Sequence, residues 1–312
     1  MKFGLEKVEG VKRVKGLGRP GVYTVLLFIS GLSFFLIFFL SPLGALVYST
    51  INPLYADPSF YQRVYNIYVN LGPTDAFNTL LSAVGNPIIK SLQSDVIVSS
   101  IQVSLITTSV STIICIAFGI PLAYILSRYN FWGKRVLDTA VDLPMVLPPT
   151  VAGLSLILFL GPNTPLGAFL HYNGIDIIFT WKAIILAQIF VSAPFFIRAV
   201  TTTFSGVPRD LELAARNLGA SPIRTFYTVT LPLSARGVFA GWAMMWARAM
   251  GEFGATIMVS NNVPGQSYTL TTAIYWEFWS GGLFQSISAA VVLLIITFIV
   301  LIAVRILMGR GS

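Results

Sequence analysis

Trp181-Lys-Ala-Ile-Ile-Leu-Ala-Gln-Ile-Phe-Val-Ser-Ala-Pro-Phe-Phe-Ile-Arg-Ala-Val-Thr-Thr-Thr-Phe204 is a run of mainly apolar residues with a charge only near each end. A bilayer core about 30 Å thick is crossed by about 20 such residues in a helix. Five more runs of this kind lie outward from it, at Val22 to Tyr48, Val96 to Leu126, Val141 to Leu160, Gly237 to Val259 and Leu283 to Leu307. Within hydrocarbon the backbone must satisfy its own hydrogen bonds, and runs of this length suit helices better than barrel strands. The expected fold class is an all-α integral membrane protein with six transmembrane helices. Composition agrees: of 312 residues, 55% are hydrophobic and 10% charged, against roughly 25% charged in soluble domains.

The net charge of +8 reads as topology rather than as a nucleic-acid surface, because basic residues collect on one side of the expected spans. Lys2, Lys7, Lys12, Arg13, Lys15 and Arg19 precede the first span, and Arg128, Lys134 and Arg135 join the second to the third. Arg198, Arg209, Arg216, Arg224 and Arg236 surround the fourth-to-fifth connection, and Arg305 and Arg310 follow the last span. The other side receives Arg63, Lys90 and Lys182, and Arg248 lies within a span. Both termini are therefore expected in the cytoplasm. The organisation is a basic tail over 1–21 and one membrane domain over 22–312, with an outer loop at about 52–94 and a cytoplasmic loop at about 205–235. The outer loop carries Phe60, Tyr61, Tyr65 and Tyr68, which suit a membrane interface or a partner. The first apolar run is too long for the core of a signal peptide.

Cys115, the single cysteine, lies among isoleucines and reads as a small buried hydrophobe. His171 is the single histidine, so no histidine-based catalytic or metal cluster can form. No G-x-x-x-x-G-K-[ST] run is present to cradle nucleotide phosphates. The chain is expected to be no enzyme and to hold no cofactor.

Between the fourth and fifth spans stands Ser205-Gly-Val-Pro-Arg-Asp-Leu-Glu-Leu-Ala-Ala-Arg-Asn-Leu-Gly-Ala-Ser-Pro222. Pro208 suits a first helical position, Asp210 and Glu212 complement the N-terminal end of a helix dipole, Arg216 its C-terminal end, and Gly219 can stop it. Ser221 and Pro222 read as the cap and first residue of another helix. Leu211, Ala214, Ala215 and Leu218 follow i, i+3, i+4, i+7 spacing and form one shallow apolar face. That face could dock in the groove of a cytoplasmic partner or rest on the protein's own inner surface.

The third span opens with Asp142-Leu-Pro-Met-Val-Leu-Pro-Pro-Thr-Val-Ala-Gly153, whose prolines predict a broken or kinked segment. Pro148, Pro149, Thr150 and Ser155 there are candidates to line a pathway; a purely structural kink is the alternative. The fifth span carries Arg248 and Glu252, four residues apart on one helix face, followed by Thr256. Charges at that depth should be paired and face the protein interior, either as a structural lock or as part of a pathway. Gly251 and Gly254 would permit close helix packing. The proline cluster of the third span is the one strong break in the expected spans, with no matching break elsewhere of the kind found in secondary transporters, which are the rival reading together with channels.

Glu212, Ala214, Ala215, Gly219 and the downstream Leu231-Pro232 resemble the EAA loop of ABC importer permeases. The Ala-Ala to Gly spacing fits that pattern, while Leu213 stands where its contiguous glutamate would. The resemblance implies an ABC importer permease fold in which Asp210, Leu211, Glu212, Ala214, Ala215, Leu218 and Gly219 belong to a coupling helix seated in an ATPase subunit. Leu147 to Gly153, Gly161 to Gly167, Arg248 to Ile257 and Pro264 to Leu270 resemble the molybdate, tungstate and sulfate permeases more particularly, across about Ser99 to Leu301. The outer loop is longer than in compact members, and Tyr268 replaces a residue that is often basic. What this second resemblance implies is a homodimer in the cytoplasmic membrane with two ATP-binding cassette subunits, which bind ATP and Mg. An external binding protein would bring the tetrahedral oxyanion to an outer surface that includes Pro264, Gly265 and Gln266.

Overall fold

The computed structural model describes residues 94–309 together with 62, 65, 66, 69 and 70, all within the unit Ser49–Ser312. The basic tail, the first expected span and nearly all of the expected outer loop lie outside the described residues. Within that loop, Gln62, Tyr65, Asn66, Val69 and Asn70 are helical and exposed. Among the described residues the chain is helical, without strands.

Eleven α-helices follow one another over residues 94–309: α1 (Asp95–Arg128), α2 (Lys134–Val146), α3 (Pro149–Leu160), α4 (Pro165–Tyr172), α5 (Trp181–Ser205), α6 (Arg209–Asn217), α7 (Pro222–Thr225), α8 (Leu231–Met250), α9 (Gly254–Val259), α10 (Leu270–Trp279) and α11 (Leu283–Gly309). A single π-helical turn, Phe226–Thr230, joins α7 to α8. Three stretches, α1, α5 and Gln285–Ile306 of α11, are each long and apolar enough to cross a bilayer. They coincide with the second, fourth and sixth expected spans.

The third expected span is broken. Leu147 precedes a proline and adopts an extended conformation, Pro148 and Pro149 supply no N–H, and α2 and α3 meet at a bend of 115°. The fifth expected span is broken too, which corrects the expectation of a continuous helix and of a single strong break. Helix α8 stops at Met250, and α9 restarts at Gly254. The Glu252 carboxylate accepts the backbone N–H of Ala255 at 2.8 Å. A side chain thereby satisfies one of the donors that a helix start leaves open, and the chain turns at Gly251 to Phe253.

Helix α5 is the structural centre. One side packs on α1 and α8 through Cys115, Leu126, Phe196, Val200, Phe204 and Met245. Gly119 makes this possible: a Cβ there would lie 2.8 Å from the Phe196 ring. The other side of α5 meets α3 and α9 through Ala152, Ala187, Val191, Ala255 and Val259. A third cluster, around Trp246, Met250, Leu270 and Ala289, ties α8, α10 and α11 together. Helix α1 buries a stripe of small polar residues, Ser100, Ser104, Thr107, Thr108, Ser111 and Thr112. Their size lets helices approach, and hydroxyls such as that of Thr112 are satisfied by carbonyls one turn back, here Thr108 at 2.8 Å.

Candidate functional site

The loop between α5 and α8 folds as its sequence suggests, displaced by one residue. Pro208 lies just outside α6 rather than at its first helical position, Asp210 and Glu212 occupy the first turn, Arg216 the last, and Leu218 follows the final helical residue. Gly219 takes φ +89°, the left-handed conformation that ends a helix most easily with glycine. The N–H of Ala220 then returns to the Ala215 carbonyl at 3.0 Å. Ser221 caps α7 by accepting the Arg224 N–H at 3.3 Å, with Pro222 at the first position.

Helix α6 has two opposed faces. At 3.6 residues per turn, Leu211, Ala214 and Leu218 lie about 180° from Arg209, Glu212 and Arg216. The first set is exposed, Leu218 at 90%, and Asp210 is exposed as well, while Ala215 is half-buried at the edge. Glu212 points the other way, into its own chain. Its Oε1 accepts Arg128 Nη2 at 2.8 Å and Nε at 3.0 Å, and the Thr230 hydroxyl at 2.6 Å. Arg128 Nη2 also donates to the Val207 carbonyl at 3.1 Å. The two charged side chains are only 6% and 9% exposed. Within the short helix, Glu212 is therefore an internal anchor of the loop, while Leu211, Ala214 and Leu218 form its outward surface. Neither Arg128 nor Thr230 stood out in the sequence. The available signal was an arginine closing a long apolar run, opposite a short acidic stretch on the same side of the membrane.

A second ionic clasp, also absent from the sequence reading, ties α2 to α5. Arg198 donates to Asp142 at 2.5 Å and 2.8 Å, and to the Asp138 carboxylate at 2.9 Å and carbonyl at 2.6 Å. It holds α2 against α5 just before the bend.

The two broken spans meet at glycines. A Cβ on Gly254 would lie 2.8 Å from Pro149 Cβ, and one on Gly153 would lie 2.8 Å from both Ala255 O and Met258 Cβ. Gly254 thus permits the close packing expected of it. Gly251 does not, since a Cβ there would meet nothing nearer than the Ala247 carbonyl at 3.5 Å. Arg248 Nη1 donates to Glu252 Oε2 at 2.7 Å, forming the expected pair. The pair is unequal: the Glu252 side chain is 1% exposed and the Arg248 side chain 31%. Among the other pathway candidates, Pro148, Thr150 and Ser155 are exposed, Pro149 is half-buried against Gly254, and Thr256 is fully buried. The Ser155 hydroxyl is turned back to its own helix, donating to the Val151 carbonyl at 2.8 Å. Deeper in the bundle, Gln188 bridges helices by donating to Thr108 Oγ1 and the Ala249 carbonyl, each at 3.2 Å.

Pro264, Gly265 and Gln266 form an exposed turn, with Gly265 at φ +80°. It is fastened by the Ser267 hydroxyl, which bonds Asn261 and accepts the Val263 N–H at 3.2 Å. Tyr268 is buried beside it, and burial pushes its hydroxyl up to about 12. His171 is exposed and 2.6 Å from Asp176. Among the described residues no group of histidine, cysteine and carboxylate side chains could hold a metal ion.

The fold recurs in solved transporter structures. A bacterial ABC transporter that imports the acidic polysaccharide alginate contains a chain of the same fold, with a TM-score of 0.68 over 93% of this chain and 96% of that one at 15% identity. The molybdenum transport system permease protein ModB of Escherichia coli (strain K12) is 40% identical over 177 residues, 56% of this chain and 77% of that protein. A probable sulfate transport system permease protein of Chlorella vulgaris is 40% identical over 186 residues, 59% of this chain and 70% of that protein. The family model of the binding-protein-dependent transport system inner membrane component matches residues 116–310. The chain belongs to this family of transport permeases.

Proposed function

We propose that this chain is the membrane-spanning permease subunit of an ATP-driven importer for a tetrahedral oxyanion, molybdate or tungstate. The observation that carries the reading is the shape of α6, whose apolar Leu211, Ala214 and Leu218 are exposed while its opposite face is anchored through Glu212 and Arg128. An exposed face of small and medium apolar side chains on a fixed helix suits docking in the cleft of a partner. That partner is an ATP-binding cassette subunit, which supplies the ATP and Mg chemistry. Two copies of this chain would assemble with two such subunits in the cytoplasmic membrane, each copy with six spans and both termini inside. An external binding protein would deliver the oxyanion to the turn at Pro264 to Gln266.

The two broken spans, packed against each other at Gly153 and Gly254, are the segments best suited to line an alternating pathway, since irregular backbone at membrane depth is tolerated where it lines a cavity or is buried in protein. Each nucleotide state must favour one arrangement of that pathway for ATP to drive it. The molybdenum permease relative supports the choice of oxyanion, and the sulfate permease relative supports sulfate as the alternative.

Vesicles containing the chain, its ATPase and the binding protein should accumulate radiolabelled molybdate when ATP is present, with unlabelled tungstate competing and sulfate not. Competition by sulfate alone would reassign the substrate. Labelling of single cysteines at Ser221 and Gln266, in a Cys115→Ala background, should occur from opposite sides of the membrane.

A further inference from the structure

The anchored face of α6 borders one space, and a second adjoins it along α1; neither the coupling surface nor the pathway uses them. The first, about 220 Å³, lies between α6 and the end of α1 and is lined by Arg128, Arg209, Arg216, Glu212, Tyr124 and Tyr129. Arg128 is neutralised by Glu212, whereas Arg209 spends one nitrogen on the Arg128 carbonyl at 3.3 Å and both Arg209 and Arg216 are exposed. The space therefore carries an excess of positive charge. The second, about 620 Å³, is an apolar groove that runs along α1 past Ile116, Ala117 and Ile120 and is closed by Ile223, Phe226 and Tyr227. Tyr124 and Tyr129 line both. An apolar groove on a membrane-spanning helix thus opens, at the two shared tyrosines, into an arginine pocket at that helix's end.

We infer that the groove and the pocket together bind an anionic phospholipid, with an acyl chain along α1 and the headgroup phosphate between Arg209 and Arg216. The charge matches, since guanidinium groups hold phosphate oxygens through directed N–H donors, and basic pockets beside membrane helices on the cytoplasmic side suit acidic headgroups. The polarity matches as well, because only an amphiphile satisfies both an apolar groove and a cationic end. A free oxyanion would leave the groove empty, and a neutral lipid would leave the arginines without a counter-charge. Such a lipid would sit on the face of α6 opposite the docking surface and brace that helix against α1. The inference rests on the cytoplasmic placement of α6 proposed above.

The test uses the assembled transporter in nanodiscs of phosphatidylcholine doped with spin-labelled phosphatidylglycerol or spin-labelled phosphatidylcholine, reading the immobilised lipid fraction. The parent should prefer phosphatidylglycerol. The R209Q/R216Q double variant should lose that preference by about thirty-fold, at roughly 1 kcal/mol for each arginine, and the R209K/R216K variant should retain most of it. Ala117→Trp, which fills the groove, should abolish the preference for phosphatidylglycerol and leave the immobilised phosphatidylcholine fraction unchanged. A parent without preference, a double variant that keeps it, or displacement of the labelled lipid by glycerol 3-phosphate would each overturn the lipid site. Lipid association is read without transport, so a failed uptake assay and a failed lipid site remain distinguishable.

Discussion

Arg128 and Glu212, 84 positions apart in the chain, meet at 2.8 Å with both side chains almost wholly buried. This contact joins the end of α1, the longest of the described helices, to the short helix whose apolar face is exposed. A displacement of α6 is thereby tied to a displacement of α1, and through the α1 to α5 packing to the centre of the bundle.

Removing either partner alone should strand a buried charge, at a cost of about 3 kcal/mol. Removing both should cost much less. Thermal unfolding of the detergent-solubilised complex for Arg128→Met, Glu212→Leu and the double variant checks this, and additive losses would argue against the pair.

Gly153→Ala and Gly254→Ala should each destabilise the complex by about 1–3 kcal/mol, because a Cβ at either position collides with the facing broken span. Gly251→Ala should be nearly silent, as its nearest obstacle stands at 3.5 Å. Melting temperatures of the three variants provide the comparison.

The Arg248–Glu252 pair should respond asymmetrically. Arg248→Met leaves a carboxylate that is 1% exposed without its cation, for about 3 kcal/mol. Glu252→Gln keeps an acceptor for the Ala255 N–H, and the guanidinium left behind is one-third exposed. Its cost should be nearer 1 kcal/mol. Equal losses in a stability assay would contradict the geometry.

What was legible in the sequence depended on how far the cause lay from the effect. Gly219, Ser221 and Pro222 stop and restart helices by their own backbone and side-chain chemistry, so their turn could be read locally. The 115° bend followed from adjacent prolines for the same reason. The break after Met250 carries no proline. It depends on the Glu252 carboxylate finding the Ala255 N–H and on Gly254 fitting under Pro149, and the second of these needs the tertiary structure. The partners of Glu212 were not legible, because Arg128 and Thr230 lie in other elements, and periodicity alone distinguishes apolar from polar faces, not inner from outer.

The proposed coupling requires α6 to transmit the action of an ATPase through its exposed face. Ala214→Glu places a charge at the centre of that face without touching the Glu212 anchor. The deciding measurement is the initial rate of ATP-dependent molybdate uptake into vesicles holding equal amounts of the inserted chain, parent or A214E, with its ATPase and binding protein. The rate should fall to background in the variant, as the charge loses its water in the cleft of the partner. Uptake at the parent's rate would contradict the coupling role of this helix.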